Sequence, residues 1–149
     1  MSSDALTANV ILMNDKLGFT GIAGDFPPIT LDYIPPLGDG KGYMPLQLML
    51  ISLAACSAAS LVTLLRRMGK TIGGCTIQAS GIRRETHPTG FESIPLLFTF
   101  DATDASEAEI EKAMRLTEDT YCPVWAMLKG NVEISTQIAL RGNRPANQA

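Results

Sequence analysis

The chain has 149 residues, long enough for one compact domain that buries its own core. Its 46% apolar and 18% charged residues exclude an intrinsically disordered chain. A net charge of -3, with no basic cluster larger than Arg66-Arg67 or Arg83-Arg84, excludes an electrostatic footprint for nucleic acid or an anionic membrane.

The opening MSSDALTANV carries Asp4 and no basic residue ahead of its apolar positions, so no signal peptide is expected. Ala5 to Met13 and Leu17 to Ile22 read as two strands joined by an Asn14-Asp15-Lys16 turn. Ile29 to Tyr33 reads as a short third strand. Pro35 to Gly42 is too rich in proline and glycine for regular structure.

Gly42 to Leu65 is the longest uncharged stretch, and Arg66, Arg67 and Lys70 close it. Pro45 suits the first turn of a helix, where its missing N–H costs nothing. From Leu46 to Met68 apolar residues lie all round, the pattern of a helix buried on every side. Gly69 ends it, and the cations complement the dipole at its C-terminus. The run is long enough to cross a bilayer. Gln47, Ser52, Ser57, Ser60 and Thr63 interrupt it, however, and the half-apolar strands around it need a core partner, so no membrane span is expected.

Cys75 to Arg83 alternates, with Cys75, Ile77 and Ala79 on one face. Thr86 to Gly90 turns the chain, and Ile94, Leu96, Phe98 and Phe100 share one face of the next strand. Pro95 within it suggests an edge or a bulge. Asp104 to Tyr121 is amphipathic, with Asp104 and Glu107 in a capping-box-like arrangement and Ile110, Ala113, Met114, Thr117 and Tyr121 on one face. Cys122-Pro123 breaks or restarts the helix, Gly130 stops it, and Val132 to Leu140 alternates as a final strand. The order is α+β, a mostly antiparallel sheet wrapped on helices in one domain spanning residues 1–149.

Three widely spaced cysteines cannot all pair within the chain, which points to a reducing compartment and a cytoplasmic address. Cys56, mid-helix, is either a small core residue or a reactive thiol. Cys122 precedes Pro123 at a helix start, where free N–H groups favour a thiolate, or it merely packs. Cys75 reads as structural. One histidine, His87, with scattered cysteines is not a metal-site spacing, and no phosphate-binding or nucleophile-elbow motif is present, so neither metal nor cofactor is expected.

Two motifs go further. Pro45-Leu46-Gln47-Leu48…Ala54-Ala55-Cys56 resembles the P-E-x-L…A-x-C signature of the OsmC/Ohr family of osmotically inducible and organic hydroperoxide resistance proteins. Tyr121-Cys122-Pro123-Val124 is similar to that family's C-P-V motif. The resemblance implies an OsmC-like intertwined homodimer whose sheets wrap paired central helices. It also implies a thiol-dependent hydroperoxide reductase active in the oxidative stress response. Cys56 would attack the peroxide and Cys122 would resolve the sulfenic acid as a disulfide, which a dithiol, typically lipoyl-linked, reduces. Peroxidatic members carry a glutamate where this chain has Leu46, and an arginine from the N-terminal region, whereas the first arginine here is Arg66. The alternative expectation is therefore an OsmC-like small-molecule-binding or regulatory protein without peroxidase turnover.

Overall fold

The computed structural model describes residues 5–141. They divide into two compact units between Met49 and Leu50.

The first unit is a three-stranded antiparallel meander, β1 (Ala8–Leu12), β2 (Phe19–Ala23) and β3 (Ile29–Leu31). Ala8 faces Ala23 across the first ladder and Phe19 faces Leu31 across the second. The predicted turn forms because the Asn14 side-chain oxygen accepts from the Lys16 and Gly18 N–H groups at 3.0 and 3.1 Å. Every residue of β1 is exposed, Val10, Ile11 and Leu12 included.

Asp32, which its sequence position makes only a strand residue, turns out to organise the proline- and glycine-rich loop. Its carboxylate is buried and accepts from the N–H groups of Tyr33 (2.8 Å), Asp39 (3.1 Å) and Lys41 (3.1 Å). Gly38 lies so close to that carboxylate and to the Tyr33 backbone that a Cβ there would collide with both. The loop then returns beside β3, where Tyr43 N–H donates to the Thr30 carbonyl at 3.0 Å.

Helix α1 runs from Pro45 to Arg67, 23 residues, with no acidic residue in its first turn and Arg66 and Arg67 in its last. Gly69 ends it at φ 79, the left-handed turn glycine tolerates, and Lys70 N–H closes back on the Leu65 carbonyl at 3.0 Å. The expectation of burial on every side is corrected within one chain. Only Leu53, Ser57, Leu61 and Leu65, one stripe at four-residue spacing, are buried, while Ile51 is 51% exposed.

The second unit's four-stranded sheet is built on β6 (Phe91–Asp101). One edge of β6 pairs antiparallel with β4 (Gly74–Ala79) and β5 (Ile82–Arg83), and the other pairs parallel with β7 (Glu133–Leu140). The parallel pair was not legible in the strand patterns; it follows from the helical crossover between β6 and β7. Ile94, Leu96, Phe98 and Phe100 are all buried, as their alternation predicts, and the last two rings stack with centroids 6.2 Å apart.

Pro95 is not on an edge strand, because β6 is central. A strand residue's N and carbonyl point to the same side, and the Pro95 carbonyl accepts from Ser80 N–H at 3.1 Å, where β4 gives way to β5. Its missing N–H therefore falls opposite the interruption in that edge, so a bulge-like break accommodates it.

Helix α2 (Glu107–Leu116) is capped by Ser106 and Glu109 rather than by Asp104 and Glu107. The reciprocal bonds measure 3.2 and 2.9 Å. Asp104 instead accepts from Thr71 N–H at 2.9 Å, tying down the segment after α1.

The three backbone donors hold the Asp32 carboxyl below its ordinary value, the Lys41 N–H first among them. Its contribution is therefore present above the unfolded carboxyl value and is lost as pH falls through the lower folded one. Amide exchange at Asp39 and Lys41 should accelerate in that acid window, and in Asp32→Ala at neutral pH. Unchanged protection in the variant would show that the loop holds itself without the carboxylate.

Candidate functional site

The thiols that sequence singles out lie on two different elements of the second unit, and the structure brings them together. Cys56 sits mid-way along α1, half-buried, on a stripe roughly 110° round the helix from the buried one at 3.6 residues per turn. Two hydroxyls around it bond back to the helix itself: Ser57 Oγ donates to the Leu53 carbonyl at 2.6 Å and Ser60 Oγ to the Cys56 carbonyl at 3.1 Å, which satisfies both without a partner from another element.

Cys122 arrives through a local irregularity. After α2 the chain widens into a π-helical turn, Thr117–Tyr121, closed by Cys122 N–H on the Thr117 carbonyl at 2.9 Å. The α-helical spacing that places Ile110, Ala113, Met114 and Thr117 inward would continue to Tyr121. The extra residue of the wide turn moves the inward position on by one. Cys122 is 2% exposed, whereas Tyr121 is 50% exposed, which corrects its expected place on the buried face.

Pro123 then starts α3 (Pro123–Leu128), with Cys122 as its N-cap. The Cys122 sulfur accepts from Trp125 N–H at 3.4 Å, the helix-start interaction expected from the Cys-Pro pair. The Trp125 ring is buried in the same unit. A helix start alone would favour the thiolate, but it does not win here. Burial and, after it, the adjoining Cys56 thiol push the Cys122 thiol up to about 11, against the weaker opposing pull of the Trp125 N–H. Cys122 is consequently a neutral thiol at physiological pH.

Both cysteines are unbridged, as is Cys75. Cys75 faces Phe100 across the β4–β6 ladder, and burial raises its thiol as well, in keeping with a packing role. His87 lies exposed in the turn between β5 and β6. Among the described residues no group of histidine, cysteine and carboxylate side chains is arranged to hold a metal ion. Lys41, the one basic residue just ahead of α1, is exposed, and its backbone N–H serves Asp32.

One feature of the site has no sequence signal. A shallow groove of about 360 Å³ runs along α1 beyond Cys56, lined by Ala59, Ser60, Thr63, Leu64, Arg67 and Tyr121. Its residues come from two elements, and only the π-helical turn sets Tyr121 outward as its second wall.

Comparison with known proteins agrees with the motifs. The family described as OsmC-like protein matches residues 38–137. Protein YhfA of Escherichia coli K12 is 30% identical over 95 residues, covering 64% of this chain and 71% of YhfA. The crystal structure of an OsmC-like protein from Mycoplasma pneumoniae superposes with a TM-score of 0.80 at 26% identity, over 94% of this chain and 99% of that one. An organic hydroperoxide resistance protein OsmC from Legionella pneumophila shares the fold at a TM-score of 0.71 and 16% identity, over 93% and 99% of the two chains.

The raised Cys122 thiol has a direct check. Thiolate absorbance or alkylation followed against pH, in a Cys75→Ser background, should show Cys122 ionising near the value of about 11. Replacing Cys56 with serine as well should lower that midpoint while leaving it above the ordinary thiol range, since burial remains. A midpoint at or below that range in the parent would mean the sulfur is not desolvated as described.

Proposed function

The chain belongs to the OsmC-like protein family, and on that premise we propose that it reduces hydroperoxides through a Cys56–Cys122 thiol pair. The observation that carries the reading is the pairing itself: an accessible, half-buried thiol beside a buried, unbridged one. The fold shared with the Legionella organic hydroperoxide resistance protein supports the same reaction class.

The two environments suit two roles. Peroxide reaches Cys56, whose thiolate attacks the distal oxygen; the O–O bond breaks, alkoxide leaves and takes a proton, and Cys56 becomes a sulfenic acid. Cys122 then attacks that sulfur, the S–S bond forms, and the Cys122 proton leaves with the displaced hydroxide as water. A high proton affinity at Cys122 does not obstruct this, because the departing hydroxide is a strong local base. A negative charge on Cys56 raises Cys122 further. An external dithiol supplies the two electrons that reopen the disulfide.

In stopped-flow assays, reduced parent protein should consume cumene hydroperoxide and gain a Cys56–Cys122 disulfide seen by mass. Cys56→Ser should lose at least about a hundredfold in rate, on the order of 2.7 kcal/mol of barrier, while Cys122→Ser should stop at a sulfenic acid. A Cys56→Ser protein as fast as the parent ends this assignment.

A second reading rests on Leu46, half-buried at the start of α1 where peroxidatic relatives carry a glutamate. With that acid absent, the protein would bind a small apolar molecule without turning over peroxide. Absence of any disulfide after peroxide treatment is the result that selects it.

The same proposal includes a homodimer. Ile51, Ala55, Ala58 and Val62 form a third stripe of α1, roughly 110° from the buried one and 140° from that of Cys56. Ile51 and Ala55 are exposed on it, while Ala58 and Val62 are half-buried. Helix α1 is also long and apolar enough to span a membrane, with a mean hydropathy of 2.2 and only 22% of that window buried. A second copy of the chain, rather than lipid, is the cover we propose. Light scattering in detergent-free buffer should give twice the chain mass, and Ile51→Glu should shift it toward the monomer. A parent that is soluble and monomeric at micromolar concentration would rule out the dimer.

A further inference from the structure

The sheet of the second unit ends on a strand that could still pair. β7 joins β6 in parallel over eight residues, Glu133 to Leu140, and among the described residues no strand lies on its other side. Arg141 N–H donates to the Phe100 carbonyl at 2.8 Å, so the residues at two-residue steps before it also turn their backbone toward β6. The residues between them, Ile134, Thr136, Ile138 and Leu140, therefore turn their N–H and carbonyl groups outward. Sheet edges are ordinarily guarded by lysine, proline, a bulge or a very short strand. β7 has none of these, and its one charge, Glu133, stands at its first residue.

A groove of about 420 Å³ lies between this strand and α2. Met114 and Ile138 supply its apolar parts. Its charge comes from Glu107, Glu111 and Glu118 with Arg115, three carboxylates against one guanidinium, so two negative charges remain. Among the described residues Glu107, Glu111 and Arg115 take part in no ion pair, and Glu118 meets only Lys129, at 4.0 Å. The simple account of these acids is the solvated side of an amphipathic helix. Their placement adds something to it. Glu109, outside the groove, is engaged by the helix cap and by Lys70 at 3.0 Å, whereas the groove acids stand beside an open strand edge.

We propose that β7 and α2 form a docking surface for an extended, cationic polypeptide segment. The segment adds to the sheet as a strand beside β7, and its alternate side chains, lysine or arginine, meet Glu107, Glu111 and Glu118. Main-chain bonds to the outward groups of β7 supply affinity, and the carboxylates select the partner. A second copy of this chain is a poor occupant, because pairing β7 with itself would bring two sets of the same carboxylates together. Nucleic acid and anionic lipid are repelled by the same charges. The α1 stripe assigned to the dimer shares no residue with this surface.

The test titrates an end-blocked heptapeptide, Lys-Thr-Lys-Val-Lys-Thr-Lys, into the isotope-labelled full chain and follows backbone amide resonances. Those of Ile134, Thr136 and Ile138 should shift saturably, and added salt should weaken binding about tenfold. The same peptide methylated on alternate backbone nitrogens keeps its charge and loses its strand donors. It should bind at least about tenfold more weakly. The double variant Glu107→Lys/Glu111→Lys should lose a similar factor. Thr136→Pro removes an outward N–H that β6 does not use, so the strand survives and binding is lost. Should that variant fail to fold, the methylated peptide asks the same question of the unaltered protein.

Equal binding of the methylated and parent peptides would reduce the surface to a charge patch and overturn strand addition. Equal binding by the Glu107→Lys/Glu111→Lys protein would remove the carboxylates from the site. Absence of any shift on β7 at millimolar peptide ends the proposal. None of these measurements involves the cysteines, so the peroxidase reading is tested independently of them.

Discussion

Everything in the second unit depends on how α1 distributes an apolar surface that is larger than its own chain can cover. The helix is nearly charge-free over its 23 residues, and only Leu53, Ser57, Leu61 and Leu65 find a place in the core. A helix that buries one stripe leaves the others to solvent, a partner or a ligand, and apolar residues left in water forgo roughly 25 cal/mol for each Å². The remaining surface has two distinct characters. One stripe is purely apolar; the other carries a thiol, two hydroxyls and a guanidinium. The chemistry proposed for this protein joins Cys56 of the second stripe to Cys122 at the start of α3, and its proposed assembly uses the first stripe.

The thiol pair illustrates how burial outweighs local chemistry. Cys122 occupies a helix start, caps it with its sulfur and receives a backbone N–H, all of which favour a thiolate. Desolvation and a neighbouring thiol nonetheless leave it protonated. The pair is therefore asymmetric by environment and not by residue type: the same side chain is half-buried on α1 and enclosed at the start of α3. The π-helical turn is the device that creates this asymmetry. It turns Tyr121 outward as a groove wall and Cys122 inward to the pair, whereas a regular helix would turn Tyr121 inward and Cys122 away from the core.

How much of this could be read in advance varied with the range of the interaction involved. The α1 boundaries, the Asn14 turn, the buried face of β6 and the restart at Pro123 all follow from neighbours within a few residues, and each is where the pattern puts it. The helix cap moved from Asp104 to Ser106 because both offer an acidic residue three positions on, and only the contact of Asp104 with the Thr71 N–H separates them. Pro95 pointed to a break but not to its side, since an interior strand opposite a gap and an edge strand satisfy proline equally. Asp32 looked like an ordinary strand residue because its three donors come from as far along as Lys41.

By itself the sequence determined the α+β order of elements and the family through its two cysteine motifs. It could do so because periodicity, caps and motif spacing are local and survive in a linear string. The tertiary structure decided the rest: that Cys56 and Cys122 are neighbours, that Cys122 holds its proton, that β7 joins β6 in parallel, and that Arg67 and Tyr121 face one groove. Each of these depends on which surfaces meet across many residues, or on how much water is excluded when they do, and no spacing along the chain encodes either.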